Sequence, residues 1–241
     1  MKTKRREFLR LAASGLVLGV LPYAARTANG ADAGLKIGTV GSGRIGSTLG
    51  EIWLKAGHEV MFSSLDLEYD KKLAERLGGK ARAGTTKEAA AFGEVLLIAV
   101  PYAALPQVGR DLAGLINGKV VIDTSNPIVG RDGEIATKAR EKGAGLASAE
   151  YLPGARLVRA FNAIGYSTMQ SAGQRKGERM GMPIAGEDAA AIAVASRLVR
   201  EVGYEPVLVG PLAMGKYLIP GTPLAGERTP DEIRRIVATL K

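Results

Sequence analysis

Apolar positions along this chain switch repeatedly between a two-residue period and a helical one. Leu35 to Val40 is a short β-prone run, followed by a glycine-rich turn and an amphipathic helix predicted over Ser47 to Lys55. Glu59 to Ser63 reads as a second strand and the charged stretch Glu68 to Leu77 as a second helix. Ala81 to Ala83 predicts a short strand, and Thr86 to Phe92 a short helix capped by Thr85. Val95 to Val100 is continuously apolar, which suits a strand buried on both faces. Pro101 stops it, a helix follows over Ala103 to Leu115, and Lys119 to Asp123 supplies another strand. The second half predicts a helix over Glu134 to Lys142, strands at Arg156 to Phe161 and Met182 to Ala185, and a helix over Ala189 to Val202. A last strand at Glu205 to Val209 precedes a helical segment near Leu212 to Leu218 and a terminal helix opened by Thr229-Pro230-Asp231. The alternation predicts an α/β fold, a doubly wound and mainly parallel sheet with a C-terminal helical extension.

Within the first βα turn, Gly41, Gly43 and Gly46 stand in the G-x-G-x-x-G spacing. With 32 Gly in 241 residues, roughly 0.5 such matches arise by chance, so the spacing counts only through the strand before it and the helix after it. In that setting Gly41 permits the tight turn, Gly43 lets the backbone close on a pyrophosphate, and Gly46 lets helix and strand approach. The phosphates then rest on the helix N-terminus. A Rossmann-type NAD(P)-binding core is therefore expected over residues 34–152, with residues 153–241 completing the sheet and closing the crevice where a hydride acceptor sits.

Residues 1–33 are set apart from that fold. Lys4-Arg5-Arg6-Glu7-Phe8-Leu9 precedes an apolar stretch too short and glycine-interrupted to span a bilayer comfortably, which reads as a twin-arginine signal peptide. Export to the periplasm or another extracytoplasmic space by the twin-arginine machinery is expected, with Ala31-Asp32-Ala33 as a cleavage site and Ala24-Ala25 or Ala28 as alternatives. Lys2, Lys4, Arg5, Arg6, Arg10 and Arg26 fall in this stretch, so the net charge of +9 is partly the leader's. No Lys/Arg run with interleaved aromatics occurs, and nucleic acid is not expected as a partner.

Composition then removes whole classes of chemistry. The chain has no Cys, which excludes disulfides, thiolate catalysis and Cys-ligated metals. Its single His, His58, makes a His-based metal site implausible, so no metal is expected. His58 itself, at a strand entrance, is expected at the surface or at an edge.

In open α/β sheets ligands bind beyond the carboxyl ends of the strands. Those ends carry Gly41 to Gly46, Ser63-Ser64-Leu65-Asp66, Val100-Pro101-Tyr102, Thr124-Ser125-Asn126-Pro127 and Phe161-Asn162. Taken singly, each has a plain structural explanation as a strand stop, a turn or a cap. Ser63-Ser64 occupies the position that selects the adenosine ribose; two hydroxyls without an acid at the strand end favour NADP(H), with NAD(H) as the alternative.

The segments KIGTVGSGRIGSTLG with AGHEV, LLIAVPYAAL, VVIDTSNP, LPGARLVRAFNAI, and PIAGED with GPLAMGKYL run in order through residues 36–218. By these segments the chain resembles the NADPH-dependent reductases of the deazaflavin coenzyme F420, a family similar to the reductase domain of six-transmembrane metalloreductases. The resemblance implies that Gly41, Ser42, Arg44, Ile45, Ser64, Val100 and Pro101 line the NADP site. It further implies that Asn126, Pro127, Phe161 and Asn162 face the nicotinamide and a deazaflavin or flavin co-substrate. Leu65 stands where the family often has arginine, and Ala163 where it usually has threonine. Hydride transfer between two such rings requires no side-chain acid or base, so Phe161 or Tyr102 is expected to shape the pocket and Asn162 to orient a ring substituent. A nucleotide-binding module without turnover and a flavin or ferric reductase are the alternative readings. An exported enzyme of this kind is expected to carry its NADP(H) tightly prebound, and a homodimer stays open.

Overall fold

Strand β1 (Lys36–Val40) sends Ile37 and Val40 to opposite faces of a sheet, as the period of two requires. The structure, a computed structural model, describes residues 34–240. The expected leader over residues 1–33 lies outside the described residues. After β1 come α1 (Arg44–Lys55), β2 (Glu59–Phe62), α2 (Leu67–Leu77), β3 (Ala81–Ala83), α3 (Thr86–Phe92) and β4 (Val95–Ile98). A single turn of 3-10 helix then leads into α4 (Leu105–Ile116) and β5 (Val120–Asp123). The remainder comprises α5 (Val129–Asp132), α6 (Glu134–Lys142), α7 (Ala144–Tyr151), β6 (Arg156–Arg159), α8 (Tyr166–Ala172), β7 (Gly181–Gly186), α9 (Ala189–Val202), β8 (Glu205–Gly210) and α10 (Pro230–Thr239).

The eight strands form one sheet in the order β3-β2-β1-β4-β5-β6-β7-β8. All neighbours run parallel except β6 and β7, which pair antiparallel. This is the expected doubly wound, mainly parallel α/β sheet of the Rossmann type. The chain winds outward from β1 in one direction to β3, then returns to place β4 on the other side of β1. The crevice at the carboxyl ends of β1 and β4 is thus the topological switch point.

Helices cover both faces. Leu49 and Trp53 of α1 and Leu198 of α9 pack with Ile37, Leu97 and Ile122 on one side. Leu112 and Ile116 of α4 and Ala147 of α7 pack with Leu96, Ile98 and Val121 on the other. The Trp53 indole donates to the Leu198 carbonyl at 3.1 Å, fixing α1 against α9 from opposite ends of the chain. A third cluster, with Val207, Val209 and Ile233, seats α10 on the far edge. The expected caps form: Thr85 and Glu88 close a capping box on α3, as do Thr229 and Glu232 on α10.

The differences from expectation concentrate at strand ends and in small-residue helices. β4 stops at Ile98 and β6 at Arg159, each two residues short of its predicted end. The residues released form the rim of the crevice. α7 was not expected because Ala144, Gly145, Ala147 and Ser148 are all buried, leaving no polar face to display a period.

His58 corrects the expectation of a surface or edge residue, since its ring is completely buried. Nδ1 accepts the Leu35 N–H at 2.8 Å, which leaves the proton on Nε2, 2.7 Å from Glu201 Oε2. Glu201 also accepts from Arg197 Nε at 2.9 Å. Burial works to raise the Glu201 carboxyl, but the bonds from His58 and Arg197 outweigh it and hold the group below its ordinary 4.5. A depressed carboxyl stabilises the fold above its unfolded value and ceases to as pH falls through the folded one. The urea midpoint of the wild type should therefore exceed that of Glu201→Gln at neutral pH, and the gap should close as pH falls below 4.5; a gap that persists in acid would refute the ion-pair role.

Candidate functional site

Gly41 leaves β1 with φ +98, a left-handed conformation that L side chains rarely adopt, and its N–H donates to the Ser63 carbonyl at 2.9 Å. Two residues on, Gly43 caps α1 with no side-chain hydrogen bond, and the first turn carries no acid. The N–H groups that open a helix of this length are the ready-made partners of an anion. A Cβ on Gly43 would meet nothing within 4 Å, whereas one on Gly46 would drive into the Gly41 carbonyl oxygen. Gly46 thus sets how closely helix and strand approach, and Gly43 keeps the cradle open.

Two cavities flank this turn. The first, of about 520 Å³, runs between the ends of β1, β2 and β4. Gly41, Ser42, Gly43, Ser64, Val100 and Pro101 line it, so the structure brings these sequence-predicted residues together. The second cavity, of about 640 Å³, lies on the other side of the turn. Ile45, Asn126 and Asn162 line it with Ala163, Tyr166 and the segment Pro220 to Gly226. The Gly226 N–H donates to the Ala163 carbonyl at 2.8 Å, tying that segment to the site.

Several expected residues lie elsewhere. Ser63 is completely buried and its hydroxyl donates to the Thr39 carbonyl, so it cannot reach a ribose phosphate. The expectation of two hydroxyls at the strand end reduces to Ser64 alone. Nor is the strand end free of acid. Asp70 of α2, buried, accepts from both Ser42 and Ser64, the latter at 2.8 Å. Arg44 is exposed and lays its guanidinium 5.4 Å from the Tyr166 ring centroid, toward the second cavity. Pro127 is buried and lines neither cavity; its carbonyl accepts from Arg140 at 3.3 Å.

Phe161 and Tyr102 also correct the sequence reading. The Phe161 ring packs edge-on against Trp53 at 6.1 Å within the core and lines neither cavity. Its backbone, at φ +63, is the one non-glycine residue with positive φ among the described residues. Such a conformation costs about 1–3 kcal/mol, and here it turns the chain off β6 so that Asn162 enters the cavity wall. Tyr102 is buried too, donating to the Ala144 carbonyl at 2.9 Å, with Ser148 Oγ at 3.1 Å. Burial raises its phenol well above the ordinary value, so it exchanges no proton near neutrality.

The floor of the second cavity is built on a buried ion pair. Arg159 and Asp123, both fully buried, bond directly, and Arg159 also donates to Ser148 Oγ at 3.2 Å and the Ser125 carbonyl at 2.9 Å. Removing one member of such a pair strands the other and costs about 3–5 kcal/mol. Asn162 Nδ2 in turn donates to the carbonyls of Asp123 (3.2 Å) and Ser125 (3.4 Å), and Asn126 Nδ2 to the Asn162 carbonyl at 2.8 Å. The Oδ1 atoms of both asparagines are buried without a partner. The ion pair went unread in the sequence, though an arginine inside the apolar run of β6 was its signal.

Residues 36–127 match the family described as NADP oxidoreductase, coenzyme F420-dependent, which is less than half of the chain. No curated protein matches. Among solved structures, a hypothetical protein from Sinorhizobium meliloti is 23% identical, with a TM-score of 0.67 over 82% of this chain and 96% of that one. A protein assigned as an F420-dependent NADP reductase from Arthrobacter sp. FB24 is 22% identical, with a TM-score of 0.66 over 76% and 88%. A reductive aminase from Aspergillus terreus, in complex with NADPH and ethyl-5-oxohexanoate, is 20% identical, with a TM-score of 0.53 over 75% and 57%. These likenesses establish the fold.

The two glycines should separate under substitution. Gly43→Glu should melt within a few degrees of the wild type yet lose dinucleotide binding in a fluorescence titration, because its side chain fills the cradle. Gly46→Ala should lower the melting temperature by several degrees, since the added methyl collides with backbone. Unchanged binding in Gly43→Glu would remove the phosphate assignment.

Proposed function

With residues 36–127 matching the coenzyme F420-dependent NADP oxidoreductase family, we propose that the chain is an NADP(H)-dependent oxidoreductase that passes hydride between nicotinamide and a deazaflavin or flavin ring. The observation that carries this reading is the pair of cavities on either side of one open glycine turn, the second lined by Asn126 and Asn162. The fit to a dinucleotide is direct. The α1 N-terminus and Gly43 would take the pyrophosphate, the first cavity the adenosine, and Ile45, Asn126 and Asn162 the nicotinamide end. Bound there, the nicotinamide supplies the hydride chemistry.

The chain's own contribution is positioning and exclusion of water. Among the described residues that line the second cavity none is Asp, Glu, His, Lys or Arg. This supports a ring acceptor, since a carbonyl or imine would depend on the Tyr166 phenol, the one phenolic proton donor among the described lining residues. The Asn126 and Asn162 oxygens would orient the carboxamide or an acceptor ring N–H, and the 220–226 segment would cover the reacting faces. The Arg5-Arg6 leader supports twin-arginine export with nucleotide already inside the folded chain.

Two measurements test this. NADPH carrying deuterium at the nicotinamide C4 should deliver it to C5 of coenzyme F420, and Asn162→Ala should lower kcat about tenfold, or ~1.4 kcal/mol, with NADPH affinity little changed. Tight NADPH binding without oxidation by any deazaflavin, flavin or ferric acceptor would overturn turnover and leave a binding module. Protein recovered from the extracytoplasmic fraction should show a bound dinucleotide by native mass spectrometry; nucleotide-free exported protein would count against prebinding.

A further inference from the structure

Asp70 is a fully buried carboxylate in the first turns of α2, behind the wall of the first cavity. Its two oxygens divide their work: Oδ1 accepts from Ser42, in the glycine turn, and Oδ2 accepts from Ser64, just past β2, at 2.8 Å. One side chain thereby joins the phosphate-facing turn to the residue that meets the adenosine ribose. We infer that Asp70 sets the ratio of NAD(H) to NADP(H) affinity, by turning the Ser64 hydroxyl into a hydrogen-bond acceptor toward the ribose.

A serine hydroxyl has one hydrogen and two lone pairs. The Ser64 oxygen accepts the Asp66 N–H at 3.1 Å, and of its two acceptors the Asp70 carboxylate is nearer than the Asp66 carbonyl at 3.2 Å and carries charge. The proton points inward, and one lone pair remains for the cavity. A free 2′-hydroxyl can donate to that lone pair, whereas a 2′-phosphate presents only oxygens to it. The lining reinforces this, since it includes Asp66 and Asp111, and among the described lining residues none is cationic. Asp70 thus does, through a serine, what a carboxylate at the end of the second strand does directly in NAD-binding folds. The cleft consequently admits NAD(H) beside NADP(H).

This inference rests on the dinucleotide reading above and extends it. The test is isothermal titration of NADH and NADPH into the wild type, Asp70→Asn and Ser64→Ala. An amide at position 70 removes the charge and can accept from only one serine, which frees a hydroxyl proton for the cavity. Asp70→Asn should therefore shift the affinity ratio about tenfold toward NADPH. Ser64→Ala, which leaves the Asp70–Ser42 bond intact, should weaken NADH by about fivefold to tenfold and NADPH by less than twofold. A clamp with only a structural role would lower both affinities together and leave both ratios unchanged, and that result overturns the inference while the dinucleotide site stands. Should Asp70→Asn fail to fold, the Ser64→Ala ratio decides alone. A wild type that binds neither dinucleotide overturns the underlying reading and this inference with it.

Discussion

The approach of α1 to the end of β1 is the constraint on which the site depends. Only hydrogen fits at the Gly46 Cα, because anything larger meets the Gly41 carbonyl. That carbonyl is aimed there by the left-handed conformation of Gly41, which is itself held by its N–H bond to Ser63, just past β2. The start of α1, the end of β1 and the end of β2 are therefore locked to one another before any ligand arrives. Trp53 and Leu49 carry the same constraint into the core, where α1 meets α9. A cradle fixed by backbone approach loses little conformational freedom on binding, which is how a short turn can hold two linked phosphates.

Much of this was legible from residue pattern alone. Apolar runs such as Val95 to Ile98 and Val120 to Ile122 fixed the buried strands, Thr85 and Thr229 marked helix starts, and the strand-glycine-helix order located the crevice. What pattern could not supply is the partner of a buried polar group. Ser63 and Ser64 are adjacent and chemically identical, yet opposite pleat directions send one hydroxyl to Thr39 and the other to the cavity wall. Asp70 sits in a charged helical stretch that reads as solvated, and His58 at a strand entrance that reads as an edge; both are buried because of residues far away in sequence. Phe161 was misplaced for a related reason: the resemblance set it at the acceptor, but β6 ends at Arg159 and the left-handed backbone goes with a ring packed in the core against Trp53.

Unfavourable terms collect at the second cavity. Phe161 holds a left-handed backbone, Asp123 and Arg159 are both desolvated, and the oxygens of Asn126 and Asn162 lack partners. Each of these would be selected against in a site whose only task is to fold, because a buried unpaired acceptor alone costs about 1–3 kcal/mol. They are also connected. Arg159 bonds the Ser125 carbonyl, which Asn162 also uses, and Asn126 bonds the Asn162 carbonyl. The ion pair thus holds the asparagines in place in the cavity wall. Local instability arranged around one cavity is the pattern expected of a binding surface assembled in advance.

The two cavities differ in charge, and the difference follows the division of labour between them. The first is walled by Val40, Val100 and Pro101 and bordered by Asp66 and Asp111, an environment suited to recognising a heterocycle and its sugar. The second has no ionisable carboxylate, imidazole, amine or guanidinium among its described lining residues. Between them the α1 N-terminus contributes a partial positive charge that is neither capped nor neutralised within its first turn. A bridging anion therefore meets favourable potential at the centre and none of its sign on the acceptor side. At the rim of that second cavity the Arg44 guanidinium lies over the Tyr166 ring. On the proposed reading, selectivity for the acceptor would come from shape, and the segment at Pro220 to Gly226 would be its main determinant.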